Sequence, residues 1–172
     1  MQDVQNLKDT FYRVLQDRIA NGNPARTVVI RGTVRPGVVV VENELPGAAL
    51  DGIAPVEAFC LRWTGLRADR QGNVPLLAAT CEVRYASDGS SGAGGMDRGR
   101  ALAAMDDELF AALKTAPRAS AGQMVSEAVA GLATVTVTGT NIFWGELAYA
   151  PAVMRGERME RTATIEVYGY GS

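Results

Sequence analysis

Histidine is absent from this chain, and that removes the side chain most often used for proton transfer near neutral pH and for holding transition metals. Cysteine occurs only at Cys60 and Cys81, too few for a paired-cysteine metal motif or a disulfide framework. They fall on two neighbouring predicted strands of unfixed register, so a bridge stays open; without a secretory signal they read as reduced, buried small hydrophobes. Aromatic residues make up only 6%. The longest strongly apolar run, Val38 to Val41, falls far short of the roughly 20 residues of a membrane-spanning helix. The N-terminus carries charge where a signal peptide is apolar, so the chain is expected to be cytoplasmic when made. Net charge is nearly absent too: 17 Lys and Arg face 19 Asp and Glu, a formal charge of -2 that gives no overall field for a phosphate backbone.

What is present suits one folded domain. The 172 residues, 47% hydrophobic and 21% charged, suffice to bury a continuous core. Val4, Leu7, Phe11, Val14, Leu15 and Ile19 recur at helical spacing, with Lys8, Asp9, Arg13, Gln16 and Asp17 on the remaining face. Asp3 caps this helix, and Asn21-Gly22-Asn23-Pro24 stops it because glycine accepts a left-handed conformation and proline blocks continuation. Thr27 to Gly32 and Val38 to Glu42 are β-branched runs around Arg35-Pro36-Gly37, which reads as a hairpin turn. Asn43 to Pro55, rich in Gly, Pro and Ala, reads as an excursion and a candidate contact loop.

Two long strands, Val56 to Ala68 and Leu76 to Ser87, follow across the turn at Asp69-Arg70-Gln71-Gly72-Asn73. Phe59, Leu61 and Trp63 share one face of the first; Leu77, Ala79, Cys81, Val83 and Tyr85 share one face of the second, opposite Thr80, Glu82 and Arg84. A glycine-rich hinge, Asp88 to Gly95, leads into a helix over Asp97 to Lys114, with Leu102, Met105, Leu109 and Leu113 as its apolar stripe, widened by Phe110. Within Arg118 to Gly131, Met124, Val125, Ala128 and Leu132 suggest a short helix. The rest is extended: Thr134 to Thr138, Asn141 to Tyr149, and Glu157 to Tyr168, with Met159, Ala163, Ile165 and Val167 on one face of the last. Twelve residues of strand at about 3.3 Å each reach roughly 40 Å, enough to cross the domain or enter a neighbour.

The chemical motifs are incomplete. Gly94 to Gly99 imitates the ends of a phosphate-binding loop, but Arg100 and Ala101 stand where lysine and Ser/Thr belong. The glycines also miss the dinucleotide spacing. Asp106-Asp107-Glu108 and the pair Glu157 and Glu160 read as solvated faces, because acid-base work needs carboxylates converging in a pocket. Ser90, Ser91, Ser120 and Ser126 lack a histidine partner. No enzymatic activity and no cofactor are expected. Trp63 and Trp144 read as core residues, with Trp144 also a candidate subunit anchor in the run Ile142-Phe143-Trp144. The mixed charges Arg155, Glu157, Arg158, Glu160 and Arg161 read as a wet strand surface or as a register device between subunits.

Over nearly its full length the chain resembles the tail terminator (tail-completion) proteins of long-tailed bacteriophages and phage-like particles. The resemblance lies in the helix Val4 to Ala20, the paired strands around Phe59-Cys60-Leu61-Arg62-Trp63 and Ala79-Thr80-Cys81-Glu82-Val83, the helix entered through Asp97-Arg98-Gly99-Arg100-Ala101-Leu102, and the closing strand Glu160 to Val167. It implies an α/β (α+β) subunit over 1–172, a mainly antiparallel or mixed sheet flanked by two main helices. It also implies a homo-oligomer, a hexameric ring at the head-proximal end of the virion tail. The implied partners are the tail-tube protein and the head-completion or connector proteins, with genome DNA passing through the ring. Competing readings are a small-ligand or nucleotide-binding domain using the Gly89 to Gly99 loop, and a tail-tube or baseplate subunit. The three loop regions, Asn43 to Pro55, Asp88 to Gly95 and Ala116 to Gly131, are expected to include one that orders only on assembly, because ordering costs roughly 1–2 kcal/mol of backbone entropy per residue.

Overall fold

Two amphipathic helices lie on one face of a mixed β-sheet in a computed structural model that describes residues 3–41, 55–69, 76–88, 96–114, 123–125, 136–138 and 142–170. Helix α1 spans Asp3–Gly22 and buries Leu7, Phe11, Leu15 and Ile19, the period of its apolar stripe. Gly22 lies inside this helix without positive φ, and the chain leaves it when Asn23 N–H bonds Ile19 O at 2.8 Å just before Pro24. Helix α2 spans Met96–Leu113 and buries Leu102, Met105, Leu109, Ala112 and Leu113. Phe110 is 57% exposed, so the stripe turns toward Ala112 instead of widening through Phe110.

The expected hairpin of Thr27 to Gly32 with Val38 to Glu42 does not form; a shorter one lies within residues 27–36. Strand β1 (Thr27–Ile30) pairs antiparallel with β2 (Thr33–Pro36) around Arg31 (φ 49°) and Gly32 (φ 78°). Consecutive positive φ values match the twist of a two-residue hairpin. Arg35-Pro36-Gly37 is therefore not the turn: Gly37 passes the chain into β3 (Val38–Val40), which runs parallel to β4 (Phe59–Asp69) at the edge of the main sheet. All three valines of β3 are buried, an apolar run that a two-residue alternation would not display.

β4 pairs antiparallel with β5 (Leu76–Ser87), with a register shift between Trp63 and Gly65. β5 pairs antiparallel along its length with β11 (Arg158–Tyr170), so the long final strand crosses the interior of the sheet. Beyond β11 three short strands share one side: β8 (Ile142–Trp144), β9 (Ala148–Tyr149) and β10 (Val153–Arg155). The span Asn141 to Tyr149 is thus two short strands with a break. β6 (Gln123–Val125) pairs antiparallel with β7 (Thr136–Thr138), which places Met124 and Val125 in a strand where the sequence suggested a helix; residues 126–135 lie outside the described residues. So do 42–54, 70–75, 89–95, 115–122 and 139–141, and these spans with 126–135 hold nearly all of the three loop regions Asn43 to Pro55, Asp88 to Gly95 and Ala116 to Gly131.

The core lies between the helices and the sheet. Phe11 meets Trp63 and Trp144 edge-on, with ring centroids 5.7 and 5.6 Å apart, and Phe59 meets Tyr85 at 5.1 Å. Cys81 is opposite Trp63 on this face, whereas Cys60 is opposite Arg84 on the reverse face; both thiols are free. The period-2 geometry that separates them also excludes a bridge between them.

Candidate assembly interface

The charged residues that the sequence grouped together are divided by the pleat of β11. Arg161 points with Met159 and Ala163 toward the helices, where its Nε lies 2.9 Å from Asp106 Oδ1 and its Nη1 donates to Ala150 O at 2.8 Å. The Nε contact is an ion pair without hydrogen-bond geometry. Tyr85 O–H donates to the same Asp106 oxygen at 2.5 Å, and Tyr149 O–H donates to Asp106 O at 3.1 Å. Burial, then the hydrogen bond to Asp106 and its charge, push the Tyr85 phenol far up. Asp106 therefore ties α2 to β5, β9 and β11 instead of belonging to a solvated face.

Glu160 faces the reverse side and is only 5% exposed. Its Oε2 lies 3.0 Å from Arg155 Nε and 3.9 Å from Arg84 Nη2, while Oε1 is buried without a hydrogen-bond partner. Arg158 pairs with Asp88 at 3.2 Å, and Glu157 is exposed in the turn between β10 and β11. Trp144 belongs to the core: it is 8% exposed, its Nε1–H donates to Leu113 O at 2.8 Å, and Arg18 stacks over it at 5.1 Å. Its indole satisfies a carbonyl at the end of α2, so it is not the ring offered outward. Phe143, its neighbour on the opposite face, is 37% exposed and stacks on Tyr168 at 5.1 Å and 16°.

A second ionic knot joins the hairpin base to α2. Arg26 Nε and Nη2 both donate to Glu108, the latter at 2.8 Å, and Nη1 donates to Glu57 O at 2.9 Å. Asn23 donates to Glu108 Oε1 at 2.9 Å. Burial raises the Glu108 carboxyl, but the hydrogen bonds from Arg26 and Asn23 and the Arg26 charge outweigh it, and the net shift is downward. Nearby, an open groove of about 560 Å³ runs between the ends of the two helices, and Arg18 at its rim already donates to Ala112 O at 2.7 Å.

Exposed apolar side chains are scattered, with Leu66 on β4, Met96 and Phe110 on α2 and Tyr170 on β11, but two adjacent pairs stand on the hairpin and on β10. Val29 and Val34 are cross-strand partners on the hairpin and are each 65% exposed. On β10, Val153 and Met154 are each 50% exposed. Their exposure was not legible in the sequence: β1 reads as four apolar or β-branched residues, and the segment before β11 carries no alternating pattern. Among the described residues no three His, Cys, Asp or Glu side chains group as a metal site. No family model and no curated protein matches the chain.

Proposed function

We propose that this protein is a structural ring subunit that caps the tail tube of a phage or phage-like particle. Its order of elements, a helix, a sheet, a second helix and a long closing strand, is the order that the tail terminator resemblance rests on. The observation that carries the proposal is the distribution of apolar surface. Both helices cover a single face of the sheet, and exposed aliphatic side chains stand outside that covered face, Val29 and Val34 on the separate β1–β2 ribbon that Gly37 joins to edge strand β3, and Val153 and Met154 on β10 at the other end of the strand order. Aliphatic groups left in water at two separate places favour association, since burying them removes apolar area from solvent.

A cap must match the terminal ring of the tube on one side and offer a different surface on the other, or the tube would continue to grow. The test combines the purified protein with the tail-tube protein of the same particle. Electron microscopy is expected to show a ring on one end only of each tube, and tube length is expected to stop increasing when the cap is added. A subunit that stays monomeric and leaves tube length unchanged would overturn the proposal. One that stacks into tubes unaided would indicate a tube subunit instead.

A further inference from the structure

We infer that the β1–β2 hairpin of one copy docks on the exposed edge segment Gly145–Glu157 of the next copy, so that these two surfaces are the halves of one repeated contact. This inference rests on the ring reading and names the surfaces that would build it.

The hairpin is held by its base, where Arg26 meets Glu108, and by one face toward α1, while its other face is open to solvent. Its strands are four residues each and, among the described residues, pair only with each other. A two-stranded ribbon is marginally stable by itself in water. Val28 and Ile30 are half-buried on one face, but Val29 and Val34 stand opposite one another on the other face, both mostly in solvent. The edge segment has the complementary defect. Among the described residues β10 bonds to β11 on one side only, and every residue of 145–157 except Leu147 is exposed. Its outer backbone groups and the side chains of Val153 and Met154 are suited to an added strand or ribbon.

Charge distinguishes this pairing from the association of like with like. The hairpin Thr27–Pro36 contains no carboxylate and carries Arg31 exposed at its tip. The edge segment carries exposed Glu146 and Glu157, and its single cation, Arg155, is already drawn to Glu160 at 3.0 Å. Hairpin against hairpin would place Arg31 against Arg31, whereas hairpin against edge brings Arg31 toward Glu146 and Glu157 and lays Val29 and Val34 along one face of the β10 edge, Val153 and Met154 pointing to opposite sides of that strand.

Position sets the consequence. Gly37 joins the hairpin directly to β3 at one end of the sheet order, and β10 stands at the other end. Two different patches at opposite edges make a head-to-tail contact, so a dimer still has one free hairpin and one free edge. Such a contact adds copies until the rotation closes a ring.

Two variants isolate the halves: Val29→Asp with Val34→Asp, and Val153→Asp with Met154→Asp. All four positions are at least half exposed, and circular dichroism of each variant checks that the fold is kept. In sedimentation velocity each variant is expected to be a monomer where the unaltered protein forms a ring. An equimolar mixture of the two is expected to give one-to-one dimers and nothing larger, because only one intact hairpin and one intact edge meet. Should either double variant lose its fold, Arg31→Glu at the exposed hairpin tip serves instead: it is expected to weaken association about tenfold, with Glu157→Arg restoring it. Rings from either aspartate variant, a mixture that stays monomeric, or an Arg31→Glu ring of unchanged affinity would overturn the hairpin contact while leaving the ring reading in place. An unaltered protein that is monomeric with and without tail tubes would overturn both.

Discussion

Arg26 and Glu108 are 82 positions apart in the chain, yet two guanidinium nitrogens of the first meet both carboxylate oxygens of the second. This two-point contact fixes the base of the hairpin to α2, and Asn23 and the Phe59 ring close it from two further sides. Such a pair is stronger than a single ion contact because its geometry is shared by two parallel hydrogen bonds.

Replacing Glu108 by Gln keeps the shape and removes the charge. The variant is expected to lose about 1–3 kcal/mol at neutral pH, read from urea unfolding. The pH dependence follows from the depressed carboxyl: its contribution is complete above the unfolded value near 4.3 and is lost as pH falls through the lower folded value. Unaltered protein should therefore lose more stability than Glu108→Gln on acidification below about pH 4. Parallel curves would show that the carboxylate charge is not what the pair contributes.

The Tyr85–Asp106–Arg161 knot predicts coupled losses. Tyr85→Phe retains the ring against Phe59 and removes only the hydroxyl that donates to Asp106, at an expected cost of about 1.5–3 kcal/mol. Arg161→Met removes the other partner of the same oxygen. Because the two groups share Asp106, the double variant should differ from the sum of the single ones by about 0.5 kcal/mol or more. Simple additivity in unfolding measurements would separate the two contacts.

Alkaline conditions test the thiols. Burial raises the Cys60 thiol from its ordinary value near 9 to about 11, and the Cys81 thiol further still. The unfolded chain then releases these protons first, so the stability they contribute is fully present below about pH 9 and is lost as pH rises toward the folded values. For Cys60 alone the span amounts to roughly 3 kcal/mol. Cys60→Ala should flatten the decline in stability between pH 9 and 11, whereas an unchanged slope would place its origin elsewhere.

Two glycines should respond in opposite directions to alanine. At Gly37 a Cβ would lie 2.8 Å from Arg26 Cγ and 3.2 Å from Arg26 O, against the hydrogen bond that Gly37 N–H makes to that same carbonyl. Gly37→Ala is expected to destabilise by about 1–3 kcal/mol and to loosen Arg26 from Glu108. At Gly99, within α2, a Cβ meets nothing within 4 Å, so Gly99→Ala should stabilise by about 0.5–1 kcal/mol through helix propensity. Thermal melts of both variants check the sign.

The helices were legible because 3.6-residue periodicity marks a buried face directly, and Leu7, Phe11, Leu15 and Ile19 on α1 show it. Leu76 to Ser87 was legible to the residue, since alternation and flanking turn residues agreed. The hairpin was displaced because Arg35-Pro36-Gly37 and Arg31-Gly32 are both acceptable turns locally. Only the parallel pairing of Val38–Val40 with Phe59–Leu61 removes β3 from the ribbon. In the same way, Met124 and Val125 carry no local signal that separates a short helix from a strand facing Thr136–Thr138.

The sequence by itself determined which residues are apolar, at what period, and hence the α+β class with two one-sided helices flanking a sheet; that both lie on the same face was decided by the tertiary structure. Tertiary structure alone decided the roles of the charges. Side chains one position apart on β11 are sent to opposite faces, so Arg161 meets Asp106 from α2 while Glu160 meets Arg84 and Arg155. It also left Val29 and Val34 in water on the hairpin and Val153 and Met154 in water on β10. Local pattern reports how a segment folds, but the partner of a charge and the cover over an apolar group come from residues distant in the chain.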